Sequence, residues 1–204
     1  MRLFRLLIQS LILSTSTALL ISCSFLSPVK VDPESNYMLN AVPNDIKMHS
    51  QRPVTLMVAM PETMPAYNTT QMAYTIKPYQ VAYFTRNRWA ETPAQMLQPL
   101  IVQSLQNTGH FQAIVTPPFI GTYHYILNSQ ILQLQQNFTV KPAALQLIIR
   151  MQLVNMITGK VVATKHFSIR EPIRQKTPYG GVLAANRASE RFLNQMVDFC
   201  LQHT

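Results

Sequence analysis

An α+β fold, with a largely antiparallel or mixed sheet and two main helices packed on one of its faces, is what the amino-acid sequence predicts. Two long runs with strand-like alternation, "YHYILNSQILQLQQNF" (123–138) and "ALQLIIRMQLVNMI" (144–157), lead across the turn "MITGK" into a third, "VVATKHFSIRE" (161–171). A capped helix start, "TPAQ" (92–95), precedes them, and a long amphipathic stretch over 182–202 closes the chain. No internal repeat divides the 204 residues, and residues 36–204 read as a single domain.

Residues 1–22 stand apart from that domain. Arg2 and Arg5 open the chain, and the run to Ser22 then carries no further charge, the pattern of a secretory signal peptide. A membrane-spanning helix needs about 20 predominantly apolar residues, and Ser10, Ser14, Thr15, Ser16 and Thr17 dilute this run. Its ending, Leu20-Ile21-Ser22-Cys23, resembles the lipobox of bacterial lipoproteins. A thiol is required to form the thioether to diacylglycerol, and a small residue before it fits the peptidase cut. Cys23 is therefore read as the lipidated residue and 23–35 as a tether; the competing reading is a secreted protein in which Cys23 is incidental. Two or three acyl chains on one residue hold a protein far more firmly than one, since each buried methylene contributes about 0.8 kcal/mol. Ser24 follows, where an Asp would resemble the inner-membrane retention signal, and this favours the outer membrane.

The elements then follow in order. "NYMLNAV" (36–42) reads as a first strand with Tyr37, Leu39 and Ala41 on one side, and "PVTLMVAMP" (53–61) as a buried central strand. "TMPAYNT" (63–69) is irregular, and "QMAYTIKPYQVAYF" reads as a hairpin about "KPY". Thr92 caps the first helix, with Pro93 in its first turn and Gln95 as the reciprocal capping partner. Leu97, Ile101 and Leu105 form its apolar face, Pro99 removes one backbone bond, and Gly109 suits the left-handed position past its end. "FQAIVT" (111–116) is a strand. In 123–138 the apolar phase changes between Ile131 and Leu132, which predicts a bulge. The terminal helix should face inward with Leu183, Ala188, Phe192, Met196 and Phe199.

Composition bounds the chemistry. The chain is 48% hydrophobic and only 12% charged, with a formal charge of +9 that falls to +7 once Arg2 and Arg5 are removed. Such an excess draws a protein toward anionic surfaces or acidic partners; export and the scatter of the charges argue against nucleic acid. After lipidation of Cys23 the only thiol is Cys200, which leaves no internal disulfide and reads as a small apolar residue packed near Met196. His49, His110, His124, His166 and His203 show no metal-ligand spacing. No G-x-S-x-G, phosphate-cradling glycine loop or close carboxylate pair is present. The reading is non-enzymatic, without metal or cofactor; an envelope hydrolase assembled from distant residues is a weaker alternative.

The stretch 72–97 concentrates the unusual residues: Tyr74, Tyr79, Tyr83, Phe84 and the single tryptophan, Trp89, interleaved with Lys77, Arg86 and Arg88. Aromatic and Arg side chains anchor interfaces, so Tyr79, Tyr83, Arg86, Arg88 and Trp89 are candidate partner-binding residues. Equally, Trp89 could fasten the start of the helix against the sheet.

The chain also resembles the ABC-type transport auxiliary lipoproteins of the PqiC-like family. The lipobox, the early Tyr37-Met38-Leu39, the run from Tyr79 through Trp89 to Pro93, and the hairpin "LVNMITGKVVATKHF" (153–167), with Asn155 where Asp is common, carry the likeness. The resemblance implies an outer-membrane-anchored, periplasm-facing auxiliary component of an intermembrane lipid transport system, without catalytic residues. Its partners would be an Mce-type periplasmic protein and an inner-membrane ABC permease and ATPase, with a homo-oligomer left open. The alternative is a carrier that holds lipid or another hydrophobic ligand between helices and sheet.

Overall fold

A computed structural model describes residues 33–204, and Glu34–Thr204 forms one compact unit. Cys23 and residues 1–32 lie outside the described residues. The strands are β1 (Ser35–Tyr37), β2 (Arg52–Val58), β3 (Glu62–Thr63), β4 (Gln71–Thr75), β5 (Ala82–Trp89), β6 (Phe111–Val115), β7 (Tyr125–Asn137), β8 (Ala144–Asn155) and β9 (Lys160–Pro172). Two α-helices, α1 (Pro93–Gln106) and α2 (Pro178–His203), and a short 3-10 turn at Pro65–Tyr67 complete the described part.

β7 organises the sheet. On one side it pairs antiparallel with β8, which pairs antiparallel with β9. Along its other side three separate segments run parallel to it in succession: β2 beside 125–127, β3 beside 130–131 and β4 beside 135–137. Residues 52–75 thus behave as one interrupted strand. β6 adds parallel to β2, β5 antiparallel to β4 and β1 parallel to β5. The sheet is mixed, with five parallel pairings among eight. The largely antiparallel option holds only for the three hairpins, the connections that adjacent sequence can reveal; the partners of β2 and β6 are remote in the chain.

Patterning fixes the layers. Leu145, Leu147, Ile149, Met151 and Leu153 of β8 are all essentially unexposed, and the two helices lie over that face in a single hydrophobic core. In β7 the register slips between Ile131 and Gln133. Leu132 is the extra residue, so Leu127 and Ile131 before the bulge and Leu134 after it all reach the core. On β9, Phe167 meets Phe192 and Phe199 of α2 edge-on, at centroid distances of 5.3 and 6.0 Å. Buried Glu171 ties β9 to α2 through Arg187 and Arg191.

Three local expectations change. The first strand is only three residues long: beyond Tyr37 the chain pairs with a side chain instead of a strand. Asn186 Oδ1 accepts from the Asn40 and Ala41 N–H groups (2.9 and 3.2 Å), and its Nδ2 donates to the Met38 carbonyl (3.1 Å). α2 begins four residues before 182. Gly180 and Gly181 look like a loop in sequence, yet they sit in the first turn, where Thr177 Oγ1 accepts from the Gly180 N–H at 3.0 Å. A Cβ on Gly180 would collide with the Gln175 carbonyl, and one on Gly181 with the Gln136 side chain. Leu183 faces outward, 42% exposed. It lies nine positions before Phe192, half a turn out of phase at about 3.6 residues per turn.

The start of α1 follows the sequence. Gln95 Oε1 accepts from both the N–H and the hydroxyl of Thr92 (3.0 and 2.7 Å), Pro93 stands in the first turn, and the helix continues through exposed Pro99. Gly109 has φ +64°.

Candidate functional site

The β4–β5 hairpin positions most of the candidate residues. Every residue of its connection, 76–81, is exposed, and Tyr79 at the tip has φ +64° with its side chain in solvent. A left-handed backbone is uncommon for a non-glycine residue and strained for a bulky one. The Lys77 carbonyl accepts from the Thr75 hydroxyl at 2.7 Å and so fixes the turn.

β5 then leaves its partner. Tyr83 pairs with Ala73 but Arg88 with Gln71, so the intervening residues bulge out of the ladder. Tyr83 is half-buried, and its hydroxyl donates to the Ala66 carbonyl at 2.8 Å. Arg86 is exposed. Arg88 is half-buried and lies 3.5 Å from the Glu34 carboxylate, which pins the start of β1. Trp89 is 4% exposed and belongs to the core. Its backbone N–H donates to the Thr70 carbonyl at 2.7 Å. The structure therefore brings Tyr83, Arg86 and Arg88 together on one strand, sets Tyr79 apart at the tip and places Trp89 inside.

Behind the tip lies a groove of about 360 Å³ lined by Tyr74, Ile76, Phe84, Phe138, Lys176, Thr177 and Pro178. Tyr74 stacks on Phe84 at 4.4 Å and meets Phe138 at 6.4 Å. Tyr37 of β1 contacts Tyr179 at the start of α2 (5.7 Å). Sequence reasoning saw Tyr74 and Phe84 in the aromatic stretch but not Phe138 or 176–178, which the fold delivers from more than 50 residues away. The signal available was an apolar Ile76 and an aromatic Tyr79 flanking "KP" in a turn.

At the other end of β7 two adjoining cavities share His49 and His110. Burial, together with the charges of Arg52 and His49, lowers the His110 pKa below its ordinary 6.5. Among the described residues no group of three His, Cys, Asp or Glu is placed to hold a metal ion. Burial pushes the Cys200 thiol up to about 12, and its sulfur packs 3.9 Å from that of Met196. Among the described residues no helix is long and apolar enough to cross a membrane.

Comparison with known proteins adds the family. The model described as "ABC-type transport auxiliary lipoprotein component" matches residues 37–197. No curated protein matches. Among solved structures, a Xanthomonas campestris protein of the DUF330 family is similar at 16% identity and a TM-score of 0.72, covering 83% of this chain and 95% of its own. An uncharacterized protein is similar at 13% identity and a TM-score of 0.65, covering 83% of this chain and 99% of its own. At these identities the two likenesses concern the fold.

Proposed function

The chain belongs to the ABC-type transport auxiliary lipoprotein component family, and from that premise we propose that it is an outer-membrane-anchored, periplasm-facing docking component of an intermembrane lipid transport system. Cys23 is the lipidated residue, 23–35 the tether, and 36–204 the domain that engages an Mce-type periplasmic protein served by an inner-membrane ABC permease and ATPase. The observation that carries the reading is a family match over 37–197 in a chain whose residues 20–23 are "LISC".

The packing favours docking over carriage. Between helices and sheet, where a carrier would hold acyl chains, stand Phe167, Phe192 and Phe199 with Leu147, Ile149 and Met151, each at most 2% exposed. The partner-facing surface is assigned to the bulged part of β5, from Tyr83 to Arg88, where exposed Arg86 suits an acidic partner and Arg88, held by Glu34, borders it. Trp89 supports this surface from the core, and no nucleic-acid role is assigned.

The test is cell fractionation with Cys23→Ala. The variant should stay unlipidated and leave the membrane fraction; a variant that still fractionates with the outer membrane contradicts the anchor.

A further inference from the structure

The β4–β5 tip and the aromatic groove behind it have no part in the docking surface on β5, yet three independent observations bear on them. The first is strain: Tyr79 is held in a left-handed conformation with its ring in solvent, a cost that a folded core does not require. The second is composition. Ile76 (56% exposed) and Val81 (41%) flank the tip, exposed Lys77 stands among them, and Lys176 lines the groove, whose described lining residues include no carboxylate. Apolar and aromatic side chains around lysines are the chemistry of a surface seated at the boundary of an anionic bilayer.

The third observation is direction. β1 runs parallel to β5 with Ser35 opposite Asn87, so the start of β1 points back along β5 toward Ala82 and the tip. Ser35 itself lies five positions along β5 from Ala82. The twelve residues from Cys23 to Ser35 span at most about 40 Å, so a lipid on Cys23 would hold the domain within that distance of the membrane. The β8–β9 turn lies at the opposite end, because β8 pairs Asn155 with Tyr125 at the start of β7, whereas Thr75 of β4 pairs with Asn137 at its end.

From these we infer that the β4–β5 tip and the adjoining groove dock on the bilayer that holds the anchor, with an acyl chain of an anionic phospholipid in the groove and its headgroup between Lys77 and Lys176. The inference rests on the lipid-anchor reading of Cys23. Tyr79, Ile76 and Val81 enter the interfacial layer, and Tyr74, Phe84 and Phe138 line the chain's path.

The experiment uses the full chain, lipidated in cells and reconstituted into vesicles of phosphatidylglycerol with phosphatidylcholine, or of phosphatidylcholine alone. Cys200 is buried and Cys23 acylated, so Tyr79→Cys or Ile157→Cys accepts a single fluorophore, and nitroxide lipids report its depth. Quenching should be several-fold stronger at position 79 than at 157, should need phosphatidylglycerol, and should fall several-fold with Lys77→Glu plus Lys176→Glu, a variant whose thermal melt checks its folding. Equal quenching at the two positions, quenching at 79 indifferent to lipid charge or to the lysines, or a position 79 shielded only by added Mce protein overturns the inference while leaving the anchor intact. Mass spectrometry of the N-terminal peptide reads the anchor separately. Should Cys23 prove unmodified, flotation of the unlabelled chain with phosphatidylglycerol vesicles that is lost with Lys77→Glu plus Lys176→Glu still supports the docking face, and no flotation overturns it together with the anchor.

Discussion

At the level of single residues, burial decides which candidates are surface and which are scaffold. Trp89 is in the core, so Trp89→Ala should cost about 3–5 kcal/mol, read as a lower denaturation midpoint. Arg86 is exposed, and Arg86→Glu should cost no more than about 1 kcal/mol while weakening partner capture at low salt. Arg88 differs, because its guanidinium pins Glu34. Arg88→Glu should loosen the start of the domain, and adding Glu34→Lys should restore it; a melt unchanged by Arg88→Glu alone contradicts the ion pair. Sequence placed Arg86 and Arg88 on a common surface but could not separate these roles, since Glu34 lies 54 positions from Arg88. His110 carries a pH effect of definite sign. Its pKa is lower in the folded than in the unfolded chain, so the unfolded state binds more protons between the two values. Stability should be unaffected by this group above about 6.5, fall as pH drops below that value, and level off once the folded pKa is passed. Melts of His110→Gln against the parent between pH 7.5 and 5, on the order of one such step in protonation, should show the parent losing its advantage on acidification.

The elements show where local chemistry was readable and where it was not. The cap at Thr92-Pro93, the bulge at Leu132, the inner face of β8 and the β4–β5 and β8–β9 hairpins all follow from signals within a few residues. The start of α2 was not legible. Thr177-Pro178 repeats the cap of α1, but two glycines follow it, and what requires them is the approach of Gln175 and Gln136, which lie outside the helix. Gly180→Ala should cost about 1–3 kcal/mol of overpacking strain, well above the effect of a glycine-to-alanine change in an ordinary helix, where alanine stabilises. A stabilised variant contradicts the close approach. The shortened first strand has a similar origin: Asn186 supplies bonds that a strand neighbour would otherwise make, and no pattern in 36–42 announces it. Asn186→Leu removes the acceptor of the Asn40 and Ala41 N–H groups, which water can partly replace, and should cost about 0.5–1.5 kcal/mol. Hydrogen exchange at those two amides should rise in parallel.

For the whole molecule, the parallel half of the sheet was the least legible part. β2, β3 and β4 find β7 across more than 50 residues, and their alternation is the same whether the partner runs parallel or antiparallel. The candidate site was half legible: its aromatic and basic residues stand out in 72–97, while Phe138 and Lys176 come to the groove through topology alone. As proposed above, this family member is a lipidated auxiliary component that docks a lipid transport assembly. The most direct measurement is affinity purification of the chain from crosslinked cell envelopes, with mass spectrometry reading both the acyl group on Cys23 and the co-purified proteins. The expected result is a diacylated or triacylated Cys23 and recovery of an Mce-type protein with an ABC permease and ATPase, reduced by Arg86→Glu. A folded, lipidated chain that recovers none of these proteins from envelopes known to contain them would contradict it.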